Sequence, residues 1–398
     1  MLGAIYIGLS GMNAYSKGLQ TISNNVANLN SSGFKATSVS FRDMYSSGGG
    51  GLTYTSGSDS QHSGTGVRIA NPTTDFSQGD LRQSEGDLDL AIQGSGFLVL
   101  QDGDKTYYAR TGQFAVGDDG FITLQGGQSH LMVLDDAHQP VALNIDTKRT
   151  SNPTATTKVT FADNLSSTAT TNIISNIAVY DSRGGKHIWQ VKFTAVGPTA
   201  PNEWNVDVLD ESGLPVGMTA TLKFIGSTVD PTTAHITITS APAGAEPLSV
   251  DLDFSGGVTS FSSGPTSTLR AAKVDGNAVG ALTSVTVDET GHIKLTYSNS
   301  KTEQLGAVAL ADFRDPQLLT NVGSGLYKNT ANGQVRLLQS GADGVGALVA
   351  KQIEASNVNL SEQFGDLILI QRGFQASSQV VSVANDMIQQ LFGIRGQG

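Results

Sequence analysis

The sequence predicts a mainly β protein of the α+β class. Paired coiled-coil-like helices at the N- and C-terminal ends bracket two β domains, the outer inserted into the inner. Three observations predict it. Apolar residues recur at helical spacing near the N-terminus, a second apolar set near the C-terminus repeats every seven residues, and most of the chain between reads as short alternating strands and turns.

The first helix rests on Leu2, Ile5, Leu9, Met12, Tyr15, Leu19, Ile22, Val26 and Leu29. Their gaps are three or four residues, the spacing of one helix face. Ser10, Asn13, Lys17, Gln20, Ser23 and Asn24 fall on the other face. The spacing predicts a helix from about Leu2 to Asn28, about 40 Å long at 1.5 Å per residue. Asn28, Asn30, Ser31, Ser32 and Gly33 then end it.

At the far end Leu360, Leu367, Phe374, Val381 and Ile388 recur every seven residues, Phe364 and Phe392 take the second heptad position, and Leu391 adds to the apolar set. Asn359, with Glu362 three residues on, suits the start of a helix in the manner of a capping box. That helix is expected to run from about Leu360 to Phe392. An apolar face needs a partner, so the two helices are expected to pack as a coiled-coil-like terminal domain, residues 1–30 with 360–398. The stripe residues of both helices are the candidate packing and polymerisation positions. Gln371, Ser378 and Asn385 are polar heptad positions, which either face water or fix register in a seam.

Residues 31–73 and 350–359 read as an extended linker arm, with Ser38–Tyr45 as a short ordered piece and a glycine run at 48–51. From Thr74 the pattern becomes β. Asp87–Ile92 alternates, Gly96–Leu100 is a buried-strand candidate, and Asp102-Gly103-Asp104 and Asp118-Asp119-Gly120 are hairpin turns. Further strands are expected at Tyr107–Arg110, Gln113–Val116, Phe121–Leu124 and His130–Leu134. A Thr/Ser/Asn/Pro-rich passage, Asp146–Thr157, marks a junction. Beyond it, Asn176–Phe193 reads as strand, turn, strand. Glu203–Asp210, Thr219–Phe224, His235–Thr239 and Leu248–Phe254 read as strands. The earlier β character returns at Ser284–Phe313. This gives an inner β domain of residues 74–145 and 284–349 and an outer one of 146–283.

Composition narrows the function. The 398 residues carry 35 Asp and Glu against 24 Lys and Arg, a formal net charge of −11. That disfavours nucleic acid, whose phosphates need a basic footprint. Charged residues are only 15% of the chain, which suits polar, weakly charged surfaces that pack against copies of themselves. The absence of cysteine excludes disulfides, thiol catalysis and thiolate zinc sites. No run of about 18 apolar residues exists, so no transmembrane helix and no membrane insertion are expected. The N-terminus lacks a basic region and a continuous apolar core, and Gly3, Gly8 and Gly11 interrupt it, so a cleaved signal peptide is not expected.

Little points to catalysis. His62, His130, His138, His187, His235 and His292 show no metal-ligand spacing. No nucleophile elbow or phosphate-binding loop is present, and Gly341–Gly346 reads as turns. Glu85, Asp87 and Asp89 alternate, which fits a solvated strand face better than a calcium or acid–base site. No catalytic residue, metal or cofactor is expected. A secreted adhesin, with its binding surface on loops such as Gly213–Gly217 or Pro198–Asn202, and an enzyme are the alternatives to a self-assembling structural protein.

Several long matches resemble the axial proteins of the bacterial flagellum, the rod and hook family. They are SGMNAYSKGLQTISNNVANLNSSGFKA (Ser10–Ala36), SFRDM (Ser40–Met44) and KQIEASNVNLSEQFGDLILIQRGFQASSQVVSVANDMIQQL (Lys351–Leu391). Between them, Phe76–Leu100 and Tyr107–Gly127 look like the family's inner β domain. Val179–Phe193 is similar to the outer domain of the hook branch, and the length suits it. The Gly/Ser-rich segment after Met44, followed by GTGVRI (Gly64–Ile69), looks more like the distal rod, which stands as the alternative. The resemblance implies export through the flagellar type III apparatus and self-polymerisation beneath a hook cap into a hollow flexible tube. That tube would act as a universal joint carrying motor torque to the filament. It implies as partners copies of the chain, the distal rod protein, the hook cap and the hook–filament junction proteins.

Overall fold

The computed structural model describes residues 2–45, 64–135, 137–197, 199–241, 246–330 and 333–395. The Gly/Ser-rich segment at 46–63, His62 within it, and Pro198 of the proposed loop lie outside the described residues. The fold is mainly β with one long helix at each end: α1 is Leu2–Ala27 and α2 is Leu360–Arg395. The chain divides into two units. The first takes Met1–Asp146, Thr286–Lys294 and Gln304–Gly398, and the second takes Thr147–Val285 with Leu295–Glu303.

In the first unit α1 and α2 lie side by side and antiparallel, with Gly8 facing Val381 and Gly18 facing Ile370. After α1, Phe41–Tyr45 pairs antiparallel with Gly64–Ile69, so the arm is a hairpin rather than an irregular linker. It lies along α1: the Tyr15 and Phe41 rings are 5.1 Å apart, and Val67 N donates to Ser10 Oγ at 3.2 Å.

The sheet of this unit interleaves strands from before and after the second unit. Asp89–Gln93 pairs with Thr111–Val116 on one edge and Ala347–Ala350 on the other. Phe97–Asp102 pairs with Lys105–Ala109 and with Leu310–Phe313. The turn between Phe97–Asp102 and Lys105–Ala109 is two residues long, since Asp102 faces Lys105. Gly103 opens it at φ +56°, a conformation that glycine adopts without a Cβ penalty. Phe76, Phe97, Phe313 and Tyr327 form the aromatic centre of this core, with Phe97 and Phe313 ring centroids 5.7 Å apart, edge to face.

The second unit is all β. Its strand order by sequence runs Thr171–Tyr180, Lys186–Ala195, Glu203–Leu209, Ala220–Ile225 in an antiparallel meander. Lys158–Asn164 pairs parallel with Leu248–Asp253 and antiparallel with Arg270–Val274. Strict alternation of buried and half-buried positions along Glu203–Leu209 is the period-2 signature of a strand with one face on a core. That core holds Phe161, Phe193 and Phe254, with the Phe161 and Phe254 rings stacked at 4.6 Å.

The carboxylates at 85, 87 and 89 do not share a strand face. Asp87 sits in a turn and pairs with Lys351 at 2.8 Å. Asp89 begins a strand, is buried, and is bonded by Ser84 and Gln113.

Candidate assembly interface

The seam between the helices is built from small residues on α1. A Cβ placed on Gly8 would lie 2.6 Å from Val381 Cγ2, one on Gly11 2.6 Å from Ser377 Oγ, and one on Gly18 2.8 Å from Ile370 Cδ1. On α2, Gly373 makes the same kind of room for the Tyr15 ring. The backbones can therefore approach closely. Ala14, Ile22 and Asn25 continue the buried face of α1, and Gln363, Ile370 and Ala384 that of α2. At the end of the seam Asn25 Nδ2 donates to Gln363 Oε1 at 2.9 Å and to Thr37 O at 2.8 Å, while Thr37 N donates to Asn25 Oδ1 at 3.0 Å. A buried amide with all these partners fixes the register of the pair, since sliding one residue strands it.

The sequence-predicted stripe divides between this seam and open surface. On α1, Ile22 is buried in the seam, and Ile5, Met12, Val26 and Leu29 are half-buried. Leu9 and Leu19 are 50% and 38% exposed. On α2, Leu367, Val381 and Ile388 are half-buried, whereas Leu360, Phe364 and Phe374 are exposed. Leu2 and Leu391 lie in the helices, with their side chains outside the described ones. Gln371, Ser378 and Asn385 are exposed; in the single chain they face away from the seam, each one residue beyond Ile370, Ser377 and Ala384. The three-and-four spacing had merged two neighbouring stripes into one. Gly8 and Gly11, read as interruptions of an apolar run, mark the seam together with Gly18.

Behind the helices lies a buried polar junction that sequence reasoning did not single out. Lys35, just past α1, donates from Nζ to Glu354 Oε1 and to Ser77 O, both at 2.6 Å. Arg110 donates from Nε to Glu354 Oε2 at 3.2 Å and from Nη1 to Gly96 O at 2.6 Å. Gly79 N also donates to Glu354 Oε1, at 2.8 Å. Lys35 and Glu354 side chains are fully buried, and Arg110 nearly so. Burial pulls the Lys35 ammonium below its ordinary pKa, against the opposing pull of Glu354. Asn357 adds a second lock: its Oδ1 accepts from Ala36 N, and its Nδ2 donates to Asp75 O, both at 2.8 Å. The exit of α1, the entry to α2 and the sheet around Arg110 thus meet at one charged knot. Its members lie up to 319 positions apart, which no local pattern reports.

Three family signatures match in chain order. They are the flagella basal body rod protein at residues 5–35, the flagellar basal body protein FlaE D2 domain at 144–332, and the flagellar basal body rod FlgEFG protein C-terminal region at 349–394. The flagellar hook protein FlgE of Treponema pallidum is 28% identical, over 99% of this chain and 100% of its own length. That of Escherichia coli K12 is 29% identical, over 97% of this chain and 98% of its own. Over nearly its whole length the chain is thus similar to flagellar hook proteins. Among solved structures, the Helicobacter pylori hook protein FlgE2 matches with a TM-score of 0.48 and 15% identity, over 69% of this chain and all of that one. The hook-family matches run through the second β unit, so the distal rod alternative is not favoured.

Proposed function

We propose that this chain polymerises through α1 and α2 into a hollow helical tube, the flexible joint that carries motor torque to the filament. The carrying observation is that large apolar side chains on both helices, Leu9, Leu19, Phe364 and Leu369 among them, stand exposed in the single chain. A helix apolar on more than its core-facing stripe is buried by neighbours. In this reading the helices form the inner tube, the β part of the first unit (residues 74–145 and 284–349) the next layer, and the second unit an outer one. The arm, 31–73 with 350–359, links tube to layer. The Lys35–Glu354–Arg110 knot passes load from the helices to the sheet without a hinge.

Its partners are further copies of itself along the tube, the distal rod protein below, the hook cap during growth and the hook–filament junction proteins above. The subunit leaves the cell unfolded through the flagellar type III apparatus. The role is structural rather than enzymatic. Electron microscopy of the purified chain under assembly conditions tests this reading. Curved hollow tubes are expected, whereas discrete closed oligomers would instead support an adhesin-like module.

A further inference from the structure

Each terminal helix carries a second heptad stripe, one residue out of phase with the seam. On α1 the seam runs Gly8, Gly11, Tyr15, Gly18, Ile22, Asn25, with alternating gaps of three and four. One residue later runs Leu9, Met12, Ser16, Leu19, Ser23, Val26. On α2 the seam includes Ile370, Ser377, Val381, Ala384 and Ile388, and one residue earlier runs Leu369, Ala376, Val380, Val383, Met387. The α1 stripe contains no charge, and the α2 stripe contains none from Ala376 to Met387; further toward the start of α2, Arg372 and Glu362 stand one residue before the seam positions Gly373 and Gln363. The α2 stripe is wide open: Leu369 is 68% and Val383 52% exposed.

The third flank of α1 is already taken. One residue before the seam lie Ile7 and Ser10, and these meet Gly66 and Val67 of the arm hairpin. So α1 has the arm on one flank, α2 in the middle and an open apolar stripe on the other flank.

The open stripes also face opposite ways. One residue turns about 100° around a helix. On α1 the open stripe is one residue after the seam, and on α2 one residue before. Because the helices are antiparallel, the two steps turn in the same sense when viewed from one end. One stripe therefore points to each side of the pair. Two unlike surfaces on opposite sides make a head-to-tail contact, which continues from copy to copy instead of closing as a dimer.

We infer that the second heptad of α1 packs on the second heptad of α2 from a neighbouring copy, repeating between chains the seam made within one. This rests on the tube reading above and names its contact. The continuity is of spacing as well as chemistry. At the residue sum of the internal seam, Leu9 would meet Val380, Met12 would meet Ala376 and Leu19 would meet Leu369. Large residues from Leu9 to Leu19 then face apolar ones, while Ser16 would meet Arg372 and Val26 would meet Glu362 at the start of α2.

The chain has no cysteine, so single-cysteine variants report the contact cleanly. Leu9→Cys chains are copolymerised with Val380→Cys chains, and in parallel with Val383→Cys or Met387→Cys to cover an axial offset, then oxidised. A mixed covalent dimer through one of these α2 positions is expected as the major product, with little from Leu9→Cys with Ser378→Cys. Tubes in which Leu9→Cys joins itself or Ser378→Cys instead would overturn the inference. If the unsubstituted chain forms no tubes, the tube reading fails, and that result is separate. Should a cysteine block assembly, Leu9→Lys and Val380→Glu provide a second test. Each alone is expected to stop growth and the mixture to restore it; no restoration overturns the contact.

Discussion

Within the second unit Phe161, Phe193, Phe254 and Trp204 are at most 2% exposed, while on α2 Leu369, Ile368 and Val383 are each more than half exposed. Both regions are rich in large apolar side chains, yet only the first closes over them. A sheet folded on itself supplies its own second layer. A two-helix pair covers one stripe on each helix and, apart from the flank of α1 taken by the arm hairpin, leaves the flanks bare. Stability of the second unit is therefore a property of the chain, whereas that of the helices becomes complete only with neighbours.

Phe254→Ala attacks the closed region where it is most packed. Losing the stacked partner of Phe161 and leaving a cavity is expected to cost about 4 kcal/mol of stability, read by denaturant melting of the unassembled chain. Leu369→Ala on the open face is expected to change the same melt by less than about 0.5 kcal/mol while weakening tube formation. If the helix variant destabilises the single chain as much as the core variant, the two regions do not differ in the way described.

Glu354→Gln probes the knot that joins the open region to a closed one. It leaves the Lys35 and Arg110 charges without their carboxylate in a buried site, at a cost of about 3 kcal/mol. Urea melts of the single chain monitored at the first unit would show it. Lys35→Met in the Glu354→Gln background should recover much of the loss, because it removes the ammonium stranded by the first change. A recovery absent from the double variant would mean that the knot matters for its hydrogen bonds to backbone more than for its charge.

The two regions also differ in how far sequence reveals them. Both helices and most strands were legible because each is encoded by a local period: the seven-residue repeat from Leu360 to Ile388, or the alternation in Glu203–Leu209. Asn359 as the start of α2 was legible for the same reason. The arm hairpin was half legible, since Phe41–Tyr45 stood out while its partner Gly64–Ile69, poor in apolar residues, did not. The seam was misread because glycine carries no hydropathy signal, although closeness of packing is what glycine permits. The knot was illegible. Nothing in the neighbourhood of Lys35 states that Glu354 will be its partner.

Acid should separate charge-held parts of the second unit from its apolar core. Burial works against ionisation of Asp253, but hydrogen bonds from Lys158 and Ser255 outweigh it and hold the carboxyl at about 2. Its folded pKa lies below the unfolded one, so its contribution is present above pH 4 and lost as pH falls toward 2. A drop from 3.8 to about 2 corresponds to about 2 kcal/mol. Thermal melts of the chain between pH 5 and 2 should show a loss that Asp253→Asn removes in part, since Asp181, Asp230 and Asp275 are also held below the ordinary carboxylate range. An unchanged pH dependence in that variant would assign the acid sensitivity elsewhere.

The smallest expected effect lies at the first turn of α2, where little packing backs the backbone. Asn359 Oδ1 accepts from Ser361 N at 3.1 Å and lies 3.5 Å from Glu362 N, and Gln363 N donates to Asn359 O at 3.0 Å. Leu360, Ser361 and Glu362 are all exposed, so no buried side chain compensates for a lost cap. Asn359→Ala should cost about 1 kcal/mol, and Asn359→Ser, which caps about as well, close to nothing. The readout is amide hydrogen exchange at Ser361 and Glu362 in the unassembled chain, faster for Ala and little changed for Ser. In assembled tubes the difference should shrink, because a neighbour packed over the exposed first turns would hold them regardless of the cap. Equal exchange for Ala and Ser in the free chain would mean that the Asn25–Gln363 bond, one turn further in, already pins the helix start without its cap.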